Sequence, residues 1–486
     1  MKLTLRYLIR TTGVALIVVS LAMLPTIVVS VLYKEYSIAL DFCKIAPVAF
    51  VIGLLMYKNF KRNFQRLRIS DGLLMVTWGW IIASIAGAFP FYISGYIPSF
   101  ADAFFESCSG FTTTGATVFL DVESLPHAIL FWRSLTSWFG GIGILLLAIA
   151  IFPSLGLSGQ SIMSFETEGP ILEQPTPRRN NLSRTLIFLY FMFTATEFVL
   201  LCFGGMEMFD SLIHSFGSVS TGGFSSFNDS AAHFSNYTKA FMAIAMFACG
   251  INFNLYYQGI RGRFATFRGD SELRLYLFFI FAPAALIFAE LFIHGVCKDV
   301  PTTITDSIFQ TISMVTTTGY IADNYELWPY LCQVTLLILM FIGACSSSAG
   351  GGLKVVRFVI IAKLLKHGIS MRLHPQYYEA IKVNRVSVTP DKVSGVCNYT
   401  FLYIIMIFIG TLAVSFETTN MTTAFTAVVS CIGNIGPCFG DIGISGCYEG
   451  FSAFSKILLS VLMIAGRLEL YTFFILFSPH YWTQKY

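Results

Sequence analysis

Apolar residues fill this chain in long runs, and polar residues gather in short clusters between them. After Lys2, Arg6 and Arg10, residues 11–33 carry no charge. A helix of that length is about 34 Å long, enough to cross roughly 30 Å of hydrocarbon. No small-residue cleavage site follows it, so it reads as a retained first helix and not a signal peptide. Further charge-free runs cover residues 72–101, 134–165, 240–260, 327–353 and 393–416, and shorter apolar stretches lie near 39–57, 185–204, 275–296 and 455–478. Unpaired backbone cannot face lipid, so these runs predict an all-α integral membrane protein with about ten crossings.

The polar clusters alternate in sign. Residues 58–68 hold Lys58, Lys61, Arg62, Arg66 and Arg68 without an acid. Arg261, Arg263, Arg268 and Arg274 mark a second basic segment, and residues 354–392 a third. The loops between them carry Asp102, Glu106, Asp121 and Glu123, then three acids over 205–232, then Glu417, Asp441 and Glu449, with no Lys or Arg. Basic loops stay on the cytoplasmic side, which places both termini there. Composition agrees: 55% of the 486 residues are hydrophobic and 12% charged, against about 25% charged in soluble domains. The net charge of +4 is too small and too dispersed for a nucleic-acid coat, so no nucleic-acid partner is expected. Eleven Cys form no CxxC pair and indicate no redox compartment.

The outer loops share one plan. Each opens with an apolar or amphipathic run of about eleven residues, too short to span a bilayer, and then stops at a small-residue turn. The turns are Thr112-Thr113-Thr114-Gly115-Ala116, Ser220-Thr221-Gly222-Gly223-Phe224, Thr316-Thr317-Thr318-Gly319-Tyr320 and Gly433-Asn434-Ile435-Gly436-Pro437. Their glycines are 108, 96 and 117 residues apart. The spacing fits a unit of helix, re-entrant half-helix, turn and helix repeated four times about one axis. The expected architecture is two extra N-terminal helices (1–69) and four pseudo-symmetric units around a central pore, at 70–165, 166–260, 261–366 and 367–486. The third unit has a broken last helix, and the fourth begins with a basic cytoplasmic linker.

The residue types of the turns suit a cation. Backbone carbonyls can replace the water shell of an alkali ion, and glycine allows the dihedrals that aim them inward. Half-helix carboxyl ends add partial negative charge near the membrane centre. Thr and Ser hydroxyls either add oxygens or hold the strand to its own half-helix. Acidic outer loops are expected to raise the local cation concentration.

As an ordered set, TTTGA, STGGF, TTTGY and NIGP resemble the filter segments of Trk-type potassium uptake subunits, the TrkH family of the Trk/Ktr/HKT superfamily. The resemblance covers essentially the whole chain. It implies a potassium ion as the transported species, bound at Thr113, Thr114, Gly115, Thr221, Gly222, Gly223, Thr317, Thr318, Gly319, Asn434, Ile435 and Gly436. It also implies a homodimer with one ion path per protomer, a cytoplasmic nucleotide-binding regulatory subunit of TrkA type, no enzymatic activity, and a bacterial inner membrane. Glycine at all four key positions goes with potassium in this family. The fourth turn departs from the pattern, with Asn434-Ile435 in place of a hydroxyl pair.

Gly343-Ala344-Cys345-Ser346-Ser347-Ser348-Ala349-Gly350-Gly351-Gly352 interrupts the long run after the third turn. At about 1 kcal/mol per glycine such a stretch disfavours helix. It resembles the family's intramembrane gating loop, with Gly343, Ser346, Ser347, Ser348, Gly350, Gly351 and Gly352 as gate residues; tight helix packing through small residues is the other reading. Arg467 lies within the last apolar run, where an Arg faces protein or water and is paired. The resemblance places it in the pore lining opposite that loop; Glu469, two residues on, is off its helical face, so its partner lies elsewhere. Glu197 in an apolar helix is either structural or a site for a coupled ion, which keeps open an obligate potassium–proton or potassium–sodium symporter. The basic stretch 354–392 reads as a membrane-surface anchor or the docking face for the regulatory subunit. A polytopic enzyme would need clustered His or carboxylates, and the seven His are scattered.

Overall fold

The structure is a computed structural model, and it describes residues 2–59, 69–151, 179–296, 299–374, 381–384, 386–418, 420–443, 447–474 and 477. Lys61, Arg62, Arg66 and Arg68 and the expected unit boundary near 165 lie outside the described residues. The chain is helical almost throughout, as the apolar runs require, and its one small sheet among the described residues has two strands, β1 (Lys382–Val383) and β2 (Val386–Ser387).

Helices α1 (Lys2–Leu32) and α2 (Tyr36–Asn59) form an antiparallel pair. They touch where Gly13 meets Gly53: a side chain on either would lie within 2.8 Å of the other's carbonyl oxygen. Small residues let two backbones approach in this way. Glu35, in the turn between them, caps the start of α5 (His127–Ile151) by accepting from His127 N at 2.8 Å and Ala128 N at 2.9 Å.

The rest of the chain runs four times through a first helix, a short helix, an extended return and a second helix. The first helices are α3 (Ile69–Ile93), α6 (Arg179–Phe203), α11 (Ser271–Ile293) and α15 (Pro390–Val414). The short helices are α4 (Phe100–Phe111), α7 (Met208–Ser220), α12 (Val300–Val315) and α16 (Met421–Gly433), between 12 and 16 residues long. Helices α6, α11 and α15 bury only 28% of their apolar windows, so most of their surface is left for lipid. The short helices are buried along nearly their whole C-terminal halves.

The second helices do not run straight. Helix α5 has a non-helical residue at Gly143, with φ of 78°. Helix α8 (Asn236–Gly250) turns by 88° into α9 (Phe253–Ile260). A short α10 (Ala265–Gly269) follows. Helix α13 (Tyr330–Leu339) stops, and α14 (Val355–Leu373) begins only after an irregular segment. Helix α17 (Ala453–Arg467) breaks before α18 (Leu470–Phe474) at Glu469, with φ of 60°. These breaks divide several of the apolar runs into shorter helices. Among the described residues six helices are long and apolar enough to span a membrane, or seven if the bent α8–α9 pair is one span. Charge-free runs at 240–260 and 327–353 are each divided by a break, because apolarity does not guarantee helical continuity. The protein is a multi-pass membrane protein.

Candidate functional site

All four short helices end alike. Thr113, Thr221, Thr317 and Asn434 take left-handed backbone, with φ between 53° and 58°. The amide of that residue bonds three residues back, and the next amide bonds five back: Thr113 N to Gly110 O and Thr114 N to Ser109 O in the first copy, Asn434 N to Cys431 O and Ile435 N to Ser430 O in the fourth. This pairing is the Schellman helix stop. Asn suits the left-handed region; a β-branched Thr does not, and costs of order 1–3 kcal/mol there. Three such Thr are held only because the surrounding packing over-determines them.

Two residues further on, Gly115, Gly223, Gly319 and Gly436 also have positive φ, from 66° to 99°. A side chain on Gly115 would lie 2.5 Å from Gly222 O, and one on Gly436 2.5 Å from Thr114 O. On Gly223 it would strike Thr318 O, and on Gly319 Ile435 O. Each glycine therefore abuts the carbonyl before the next glycine, and the fourth closes back on the first. The structure brings the four turns together in a closed ring of main chain.

Side chains hold that ring from behind. Glu106 on α4 accepts from Val118 N at 2.9 Å and Thr117 Oγ1 at 3.1 Å on its own return strand. Gln310 on α12 accepts from Ala322 N at 3.0 Å, and Thr426 on α16 from Phe439 N at 3.1 Å. In the second copy Asp210 accepts from Ser226 Oγ at 2.7 Å. The Thr hydroxyls act as struts: Thr112 pairs with Thr114, and Thr316 with Thr318, at 2.8 Å each. Asn434 Nδ2 donates to Thr114 Oγ1 at 3.0 Å and Met463 O at 3.0 Å, which ties the divergent fourth turn to the first.

The acidic loops are less open than expected. Glu106 is fully buried and paired with Arg133 on α5 at 2.7 Å. Asp306 is buried and paired with Lys239, and Asp102 with Lys456, both at 2.8 Å. These three carboxylates are paired with bases on second helices, whereas other outer-loop acids are exposed. Asp121 is one of them; the Asn228 amide donating to it holds its carboxyl below the usual range.

The Gly/Ser segment 343–352 folds as a loop directly under the ring. Gly343 N bonds Leu353 O at 2.8 Å, which brings its ends together. Gly351 N donates to Thr317 Oγ1 at 2.6 Å. A side chain on Gly350 would lie 2.7 Å from Thr316 O, and one on Gly351 2.6 Å from Gly433 O. Arg467 reaches across to this loop, donating to Ala349 O at 2.8 Å and to Gly140 O at 3.1 Å, and Lys354 Nζ donates to Gly350 O. Arg467 thus bonds main-chain carbonyls. Glu469 pairs with Arg357 on α14 at 2.5 Å, and that guanidinium lies 3.8 Å over the Tyr399 ring. Ser346 Oγ donates to the buried Glu272 at 2.7 Å, while Ser348 Oγ bonds Cys345 O within the loop. Glu272, Lys354 and Arg357 were not legible as site residues, since each acts on groups distant in sequence. Glu197 is buried beside Ser218, and among the described residues neither carboxyl oxygen has a hydrogen bond of normal geometry.

The model of a cation transport protein family, TrkH, matches residues 41–484. The Trk system potassium uptake protein TrkH of Escherichia coli (strain K12) is 32% identical over 483 residues, covering 99% of each chain. TrkG of the same organism is 35% identical over 468 residues, covering 95% of this chain and 96% of that one. The crystal structure of the potassium transporter TrkH from Vibrio parahaemolyticus superposes with a TM-score of 0.88 at 31% identity, over 98% of this chain and 99% of the other. With its buried ring of glycine turns and a match that runs almost end to end, the chain belongs to the TrkH family of cation transport proteins.

Proposed function

We propose that this protein carries potassium into the cell through a filter lined by carbonyls of the residues from Thr113 to Gly115, Thr221 to Gly223, Thr317 to Gly319 and Asn434 to Gly436. The observation that carries this reading is the closed ring, in which each filter glycine abuts the carbonyl of the next turn. Carbonyls from four chain segments replace a hydration shell without fixed charge. The short helices aim their carboxyl ends at the ring and favour a cation there. The loop from Gly343 to Gly352 is the gate, with Ser346, Ser347, Ser348, Gly350, Gly351 and Arg467: it occupies the volume under the ring, and the Arg467 guanidinium adds a repulsive charge to the path. The gate opens when these ties are released.

The protein works in a bacterial inner membrane with both termini in the cytoplasm, its four pore units dividing at 70–165, 166–260, 261–366 and 367–486. It acts as a homodimer and docks a nucleotide-binding regulatory subunit of TrkA type on its basic cytoplasmic face. The naming of its relatives as members of a Trk system supports such a partner. Coupled symport with protons or sodium is the second reading, favoured by the carboxyl of Glu197, which is buried in an apolar helix.

The test is ion flux into vesicles containing the purified protein. Potassium and rubidium flux well above sodium flux supports the filter; equal sodium and potassium permeation refutes it. Flux driven by a pH gradient at zero membrane potential selects the symporter.

A further inference from the structure

We infer that Glu272 is a positioning residue that couples the cytoplasmic β-hairpin to the intramembrane loop, a role that rests on that loop being the gate. Glu272 is the second residue of α11 and is buried. One carboxyl oxygen accepts from Ser346 N at 2.6 Å and from Val356 N at 3.2 Å; the other accepts from Ser346 Oγ at 2.7 Å. A single side chain thus clasps the middle of the loop and the first turn of α14, the helix that leaves the loop. The carboxylate sits in the first turn of α11 and against the first turn of α14, where both helix dipoles favour negative charge.

The two residues before Glu272 are held in turn by the hairpin. Asn384, at the tip between β1 and β2, has φ of 49°, as two-residue hairpin turns require. Its side chain accepts from Ser271 N at 2.8 Å and donates to Asp270 Oδ2 at 2.9 Å. Val383 and Val388 of the hairpin segment pack on Val356, Val359 and Ile360 of α14. The hairpin therefore grips both helices that Glu272 joins, one by hydrogen bonds and one by apolar contact. A displacement of the hairpin that parts α11 from α14 strains the carboxylate's bonds to Ser346 and Val356 and frees the loop. The gate gains an input from the cytoplasmic surface that does not pass through Arg467.

Cys345, inside the loop and 1% exposed, reports on this independently of ion flux. The full-length protein is reconstituted, treated with N-ethylmaleimide, and the modification rate at Cys345 followed by peptide mass spectrometry. Glu272→Ala is expected to raise that rate by about tenfold, since bonds to a charged acceptor are lost. Glu272→Gln, which keeps shape and one acceptor, raises it less. Asn384→Ala also raises it, but adds nothing in the Glu272→Ala background, because both act through one link. A Cys345 rate within twofold of the parent in Glu272→Ala, or additive effects of the two alanine changes, overturns the inference. If the alanine variant loses its thermal transition, Glu272→Gln and Asn384→Ala decide on the same readout. Rising Cys345 reactivity with unchanged rubidium flux supports the clasp and removes the gate reading instead.

Discussion

The buried pair of Glu106 and Arg133 offers a quantitative check on how the ring is held. The ions are 2.7 Å apart, 0% and 2% exposed. Arg133 also donates to Thr117 Oγ1 at 3.1 Å and lies over the Phe224 ring at 4.4 Å. Removing either partner leaves the other charge buried and uncompensated, at about 3–5 kcal/mol. Glu106→Gln and Arg133→Met each carry that cost. Together they remove both charges, while the glutamine amide oxygen still accepts from Val118 N. The third copy already works this way: neutral Gln310 takes the amide of Ala322. The double variant should then cost only about 1 kcal/mol, the net worth of a neutral hydrogen bond, for a coupling energy of several kcal/mol. Thermal melting of the four proteins in detergent measures the cycle. Both singles should melt well below the parent, and the double above either single. A double variant that melts as low as the two losses added together would show that Glu106 does not act as a neutralised acceptor.

Two further outcomes follow from the ring and the loop. Gly115→Ser puts a side chain 2.5 Å from Gly222 O at a φ of 80°, so it should widen the ring locally and lower potassium-over-sodium preference in competition uptake; an unchanged ratio counts against the assigned filter. Arg467→Ala removes two ties, to Ala349 O and Gly140 O, and a positive charge, and should raise rubidium flux several-fold without changing ion preference; unchanged flux would remove Arg467 from the gate.

The glycine turns were legible because everything that defines them is local. A short apolar run and a hydroxyl or Asn at the helix stop make a Schellman ending, a glycine follows two residues on, and the four copies announce themselves by spacing. The irregular loop after the third turn was legible for the same reason, since four glycines and three serines in ten residues disfavour helix. The departure of the fourth turn was also visible, but not its remedy, the bond from Asn434 to Thr114, 320 residues away in the chain. Hydropathy reads burial in lipid and not helix continuity, so the break between Gly250 and Phe253 passed unseen. The pairing of Glu106, Asp306 and Asp102 with Arg133, Lys239 and Lys456 was not visible, because those bases lie on other helices.

Amino-acid order alone decided that this protein spans a membrane, how the charge of its loops alternates and where its backbone turns on glycine. These depend on hydropathy, charge bias and dihedral freedom, properties of neighbouring residues. Tertiary structure decided which carbonyl faces which glycine, what Arg467 holds and that Glu272 clasps the loop. Those contacts join residues far apart in the chain, and only packing brings them within hydrogen-bond reach.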